Sequence, residues 1–226
     1  MKRFALLSVM AGLVVASWRT AVSAEAAHNF ARWEKDISAY EQMDRTNPPP
    51  KGAVLFIGSS TVRLWKTLAQ DFPAHRVINR GFGGSEIVDS MHFAERIILP
   101  YAPRMVFLRA GGNDINAGKS PERVFAEFKE FAAKVHAALP ETDIVFISLC
   151  PSVARWKNAE KEKALNTMVE EFMRGKAHLK YLETYPMSLG PDGQPRPELF
   201  VADKLHFNAD GYKLLAERVR PCLPKD

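Results

Sequence analysis

Five short apolar runs rich in β-branched and aromatic residues punctuate the chain, at Val54–Ile57, Arg76–Ile78, Met105–Leu108, Asp143–Leu149 and Leu179–Leu182. Between them lie stretches of helical period, near residues 61–70, 86–98, 121–139 and 154–176. No other feature constrains the architecture as much. Strands that alternate with helices of this length form βαβ units, which require a parallel sheet with helices on its faces. The middle runs are apolar almost without interruption, as strands buried on both sides must be.

The pattern therefore predicts an α/β protein, a flavodoxin-like three-layer sandwich with a five-stranded parallel sheet in the order 2-1-3-4-5. Phe30, Trp33, Ile37 and Tyr40 fall at helical spacing and predict a leading helix over 27–42, which Asn47-Pro48-Pro49-Pro50-Lys51-Gly52 terminates. Ser120-Pro121 opens a helix with an N-cap and a proline at its first position. A final helix is expected from Ala209 to Val219. Residues 186–206, rich in proline and glycine, form the one long irregular stretch, and such loops are often functional.

The first residues read differently. Lys2 and Arg3 precede an apolar segment from Phe4 to Ala16, and Ala21-Val22-Ser23-Ala24 follows, which is the layout of a secretory signal peptide cleaved after Ala24. Residues 1–24 are thus expected to be a signal peptide. Residues 25–226 form one domain, with 25–50 as leading helix and linker, in a periplasmic or secreted protein with no stable membrane insertion. Losing Lys2, Arg3 and Arg19 lowers the formal charge from +5 to +2, so no basic nucleic-acid-binding face is implied. The mixed charges of Ala159-Glu160-Lys161-Glu162-Lys163 read as a solvated helix face. Cys150 and Cys222 are too few for a disulfide scaffold, and geometry decides whether they pair.

Ligands of open parallel sheets bind beyond the carboxyl ends of the strands. Four short stretches fall there: Gly58-Ser59-Ser60, Asn79-Arg80-Gly81-Phe82-Gly83-Gly84, Gly111-Gly112-Asn113-Asp114 and, before the last helix, Asp203-Lys204-Leu205-His206. Together they contain the parts of a serine hydrolase. A hydroxyl nucleophile needs a base, and the base needs a group to orient it. His206 and Asp203 supply these, while backbone N–H groups at Ser60 and in the glycine-rich turn, with the Asn113 amide, are candidate oxyanion donors. "GFGG" lacks the spacing of a dinucleotide fingerprint. Asp114, Asp203 and His206 lack the pattern of a metal site, so neither metal nor cofactor is expected. The other histidines, His28, His75, His92, His136 and His178, have no partner pattern and read as structural or exposed.

In "FIGSST", "NRGFGGS", "AGGND" and "DKLHFN" the chain resembles the SGNH (GDSL-like) hydrolases over residues 56–208. It carries Ser59 where the family commonly has Asp. The resemblance implies Ser60 as nucleophile, Asp203 and His206 as acid and base, and an oxyanion hole of Ser60, Gly84 and Asn113. It further implies a flavodoxin-like sheet, no cofactor, and action on carboxylic esters. The absence of a lid insertion or a long apolar segment leans toward small-acyl, acetyl-type esters of carbohydrates. Lysophospholipase, thioesterase and acyltransferase activities, or a non-catalytic carbohydrate- or envelope-binding protein on the same fold, are the alternatives. Arg155 and Trp156, after the fourth strand, are candidates for the substrate rim. Arg109 sits inside the third apolar run. A buried ion pair is its expected arrangement, and a reach into the cleft toward an anionic substrate group is the other.

Overall fold

A computed structural model describes residues 28–224. The signal peptide expected over 1–24 lies outside the described residues. Five parallel strands, β1 (Val54–Gly58), β2 (Val77–Gly81), β3 (Met105–Arg109), β4 (Asp143–Ile147) and β5 (Leu179–Leu182), pair in the order β2-β1-β3-β4-β5. The topology is the expected one.

The uninterrupted apolar runs arise because each central strand feeds two cores. Leu55 and Ile57 of β1, Val106 and Leu108 of β3, and Ile144 and Phe146 of β4 point to one face. There they meet Ile37 of α1 (Glu34–Thr46), Ile87 of α4 (Ile87–His92), Ile97 of α5 (Ala94–Ile97), Phe128 and Val135 of α7 (Pro121–Ala138), and Leu165 and Val169 of α8 (Ala159–Met173). Val54, Phe56, Met105, Phe107, Val145 and Ile147 point to the other face. They pack on Val62 of α2 (Ser60–Arg63), Leu68 of α3 (Leu68–Asp71) and Leu215 and Val219 of α9 (Ala209–Val219). Phe56 stacks on Phe107 with ring centroids 4.6 Å apart, directly behind the turn that carries Ser60.

Three differences from the sequence reading have physical causes. β2 continues through Asn79, Arg80 and Gly81 rather than ending at Ile78, because Arg80 is buried in an ion pair with Asp44 of α1 at 2.5 Å. The stretch after the third strand, to which the sequence assigned no helix, holds a short one, α6 (Gly112–Asn116). Glu162 is 4% exposed, so the "solvated" face of α8 holds a buried carboxylate between exposed Lys161 and Lys163. Cys150 and Cys222 are both free thiols, the first buried and the second half-buried.

Candidate active site

The register of the sheet brings the stretches together. Gly58 pairs with Gly81 on one side and Arg109 on the other, so β1, β2 and β3 end level. Gly58 has φ 138°, and a Cβ there would lie 2.1 Å from the Arg109 carbonyl oxygen, so no other residue fits. The chain turns sharply at this point. Ser59 N–H donates to the Arg109 carbonyl at 3.1 Å, and Ser60 begins α2 with its side chain over the sheet edge.

His206 arrives from the irregular stretch. Asp203 Oδ1 accepts from the backbone N–H of Leu205 at 2.9 Å and of His206 at 3.0 Å, which closes a tight turn. Its Oδ2 accepts from His206 Nδ1 at 2.6 Å. The backbone donor at His206, then the His206 ring and the Leu205 N–H, hold the Asp203 carboxyl down at about 2. It is therefore ionised at every pH of interest and can only accept. That places the proton on Nδ1 and leaves Nε2 to accept from the Ser60 hydroxyl, 3.0 Å away. Asn208 fixes the far side of the loop. Its Oδ1 caps α9 through Asp210 N–H and Gly211 N–H, and its Nδ2 donates to the Glu198 carbonyl at 2.7 Å.

Asn113 stands on α6 across the cleft. Its Nδ2 donates to the Ser85 carbonyl at 2.9 Å, and its Oδ1 accepts from Arg155 Nη1 at 2.9 Å. Because a guanidinium can only donate, the amide is oriented with its NH₂ toward the Ser85 turn and a second N–H remaining. Arg155 lies in the turn Val153–Asn158, which is tied to the His206 loop by Ala154 N–H donating to the Lys204 carbonyl at 3.0 Å.

Ser60, His206, Asn113 and Arg155 line one narrow cleft of about 60 Å³, with Ser59, Arg109 and Glu162. Gly84 is exposed in the turn after β2, with φ 78°, one residue from the carbonyl that Asn113 holds, and is outside the residues lining the cleft. Trp156 is exposed and likewise outside the lining.

Arg109 does not take the expected buried ion pair. It is 8% exposed, its Nε is buried without a hydrogen-bond partner, and its side chain faces the cleft. The residues that sequence reasoning missed are Glu162 and Gly112. Glu162 had a readable signal, because with Ala159, Leu165, Asn166 and Val169 it falls on the buried stripe of α8. Among the described residues no group of three or more His, Cys, Asp or Glu could hold a metal ion, and no helix is long and apolar enough to cross a membrane.

Fold and site together define a flavodoxin-like α/β protein with a polar, serine- and histidine-lined cleft at the carboxyl edge of a 2-1-3-4-5 sheet. The chain belongs to the GDSL-like lipase/acylhydrolase family, which it matches over residues 55–214. No curated protein matches it. Among solved structures, a candidate platelet activating factor from Streptococcus pneumonia superposes with a TM-score of 0.76 at 20% identity, covering 86% of this chain and 94% of that one. A GDSL-like lipase from Bacteroides thetaiotaomicron gives 0.68 at 19% identity, with 86% and 96% covered. An acetyl-xylooligosaccharide esterase from Geobacillus gives 0.62 at 14% identity, with 78% and 97% covered. At these identities the likeness is one of fold.

Proposed function

We propose that the protein is an exported serine esterase that works through an acyl-enzyme. The observation that carries this reading is the relay from Ser60 Oγ to His206 Nε2 at 3.0 Å and from His206 Nδ1 to Asp203 at 2.6 Å. His206 removes the Ser60 proton as the oxygen attacks the ester carbonyl. The developing oxyanion is met by the Ser60 N–H and by the free N–H of Asn113. The resemblance adds the Gly84 N–H, on the turn that Asn113 holds but outside the cleft lining. His206 then gives its proton to the leaving alcohol, and water attacks the acyl-enzyme by the same route, returning the acid and free Ser60.

The small volume of the cleft, about 60 Å³, and its polar lining support a small acyl group such as acetyl over a fatty chain. The acetyl-xylooligosaccharide esterase of the same fold supports a carbohydrate ester by analogy alone. Release of p-nitrophenol from acetate and octanoate esters by residues 25–226 tests the reading. Ser60→Ala is expected to lower kcat by about 10⁴-fold or more, Ser59→Ala to leave turnover, and acetate to be preferred. Turnover that survives Ser60→Ala refutes the nucleophile, and preference for octanoate refutes the small-acyl assignment. Export is tested by the mass of the protein recovered from the periplasm or medium, expected to begin at Glu25.

A further inference from the structure

The cleft beside Ser60 contains more charge than acyl transfer requires. Apart from His206 and the Cys150 thiol, which burial keeps in its neutral form, the ionisable groups lining it are Arg109, Arg155 and Glu162. They come from three separate elements: the end of β3, the turn after β4, and the first turn of α8. Arg109 and Glu162 are each more than nine-tenths buried, and each has a polar atom, Nε and Oε2 respectively, with no hydrogen-bond partner. Arg155 uses Nη1 for both of its bonds, to Asn113 Oδ1 and to the Gly112 carbonyl. None of the three forms a salt bridge with another at 4 Å or less among the described residues, although they lie close enough for both arginines to stabilise the Glu162 anion.

Such an arrangement is costly when the protein's own groups leave it unpaired. Buried polar atoms are almost always hydrogen-bonded, and a buried guanidinium is strongly penalised without a partner. The chain also keeps the space open. A Cβ on Gly112 would lie 3.8 Å from Glu162 Oε1 and 3.9 Å from Arg155 Nη1, so glycine at this position leaves the gap between them unfilled. Two guanidinium groups face one carboxylate, and the excess is positive. Burial pushes the Glu162 carboxyl up to about 7 in spite of both arginines, so near neutral pH it cancels less than one of their charges. An anion with paired acceptor oxygens is the partner that a guanidinium binds best.

We propose that Arg109, Arg155 and Glu162 form a substrate-recognition subsite that takes a carboxylate carried by the ester, close to the scissile bond. The arginines hold the carboxylate oxygens. Glu162 tempers the positive charge and, when protonated, donates to the same group. The substrate class is an ester with a free carboxylate on either its acyl or its alcohol part, such as a dicarboxylic hemiester or an O-acetylated acidic sugar. Neutral esters of the same size leave the buried guanidinium without its partner and are discriminated against.

This inference rests on the esterase reading, and the experiment separates the two. Initial rates at pH 8 are measured for two matched pairs. One is p-nitrophenyl hydrogen glutarate against p-nitrophenyl butyrate, and the other is O-acetyl galacturonate against O-acetyl galactose. The anionic member of at least one pair is expected to have a kcat/KM about tenfold higher or more, and the pair that shows it identifies which side of the ester bears the carboxylate. Arg109→Gln should lower that ratio by about tenfold, and Glu162→Gln, which removes the competing charge, should raise it severalfold. Glu162→Gln is nearly isosteric and keeps the test decisive if Arg109→Gln does not fold. Turnover of the neutral esters with no anionic preference in either pair, or a preference that neither substitution alters, overturns the subsite and leaves the esterase standing. Absence of turnover of all four esters by the folded protein overturns both.

Discussion

Asn113 shows how one residue's role is set by another that is distant in sequence. An amide donates or accepts according to which way it faces, and Arg155, 42 positions away, resolves this by occupying Oδ1. Arg155 is thus a positioning residue for the oxyanion donor. Asn113→Ala should lower kcat toward a neutral acetate ester by about 10²–10³-fold. Arg155→Met should lower kcat by about tenfold with little change in KM, since the amide loses its orientation but remains. In the Asn113→Ala background the arginine substitution should have no further effect on kcat, because its target is gone. Additive losses in this double-mutant cycle, read in steady-state kinetics, would show that Arg155 acts elsewhere. Asp203 and His206 were legible as a pair from their local spacing, and Gly58-Ser59-Ser60 from its place after the first strand, while the choice of Ser60 over Ser59 came from the resemblance to the SGNH hydrolases. The Arg155–Asn113 bond was not, because it depends on how the turn after β4 folds over α6. Arg109 was legible as an anomaly, a cation in an apolar run, but its lack of a partner could be read only from the folded structure.

At the scale of elements, the same division runs between local and tertiary information. α9 occupies Ala209–Val219 as the sequence predicts, because its start is encoded in one residue, Asn208, whose side chain accepts from two of the first backbone N–H groups. α6 was missed because five residues that begin at the second of two glycines have no periodicity to read, and contacts with α7, α8 and the turn after β4 hold that helix. β2 was read too short because Arg80 looks like a strand terminator until Asp44 and Tyr101 are seen around it. Asn208 also connects an element to function, since it lies two residues beyond His206. Asn208→Ala should destabilise the fold by about 1 kcal/mol. For a domain of this size that corresponds to a fall in Tm of about 2–4 °C. It should also loosen the His206 loop through loss of the bond to the Glu198 carbonyl. The expected signature is a drop in kcat on neutral esters alongside the drop in Tm. An unchanged Tm would mean that the cap is not what starts this helix.

Across the whole molecule, the sheet edge that makes the cleft also stores carboxylates where they are least comfortable. Glu162 and Asp114 lie in adjoining helices beyond the ends of the strands, both are almost fully buried, and burial raises the carboxyl of each above its ordinary range. A raised carboxyl binds its proton more tightly in the folded chain than in the unfolded one. Folding is therefore favoured by acid across the window between the two values, and stability falls as pH rises through it. For Glu162 that window runs from the ordinary glutamate value to about 7. The subsite above accepts this cost in return for charge in the cleft, and a glutamine should recover it. Glu162→Gln is expected to be more stable than the parent by roughly 2–3 kcal/mol at pH 8, with the difference shrinking as pH falls and nearly absent at pH 4. Asp114 is present in both proteins, so comparing their Tm values at pH 4, 6 and 8 isolates Glu162. A difference that does not change with pH would place the effect in packing rather than in ionisation. A parent more stable than the variant at pH 8 would mean that the two arginines already outweigh the desolvation of Glu162, leaving no unmet positive charge for a substrate to satisfy.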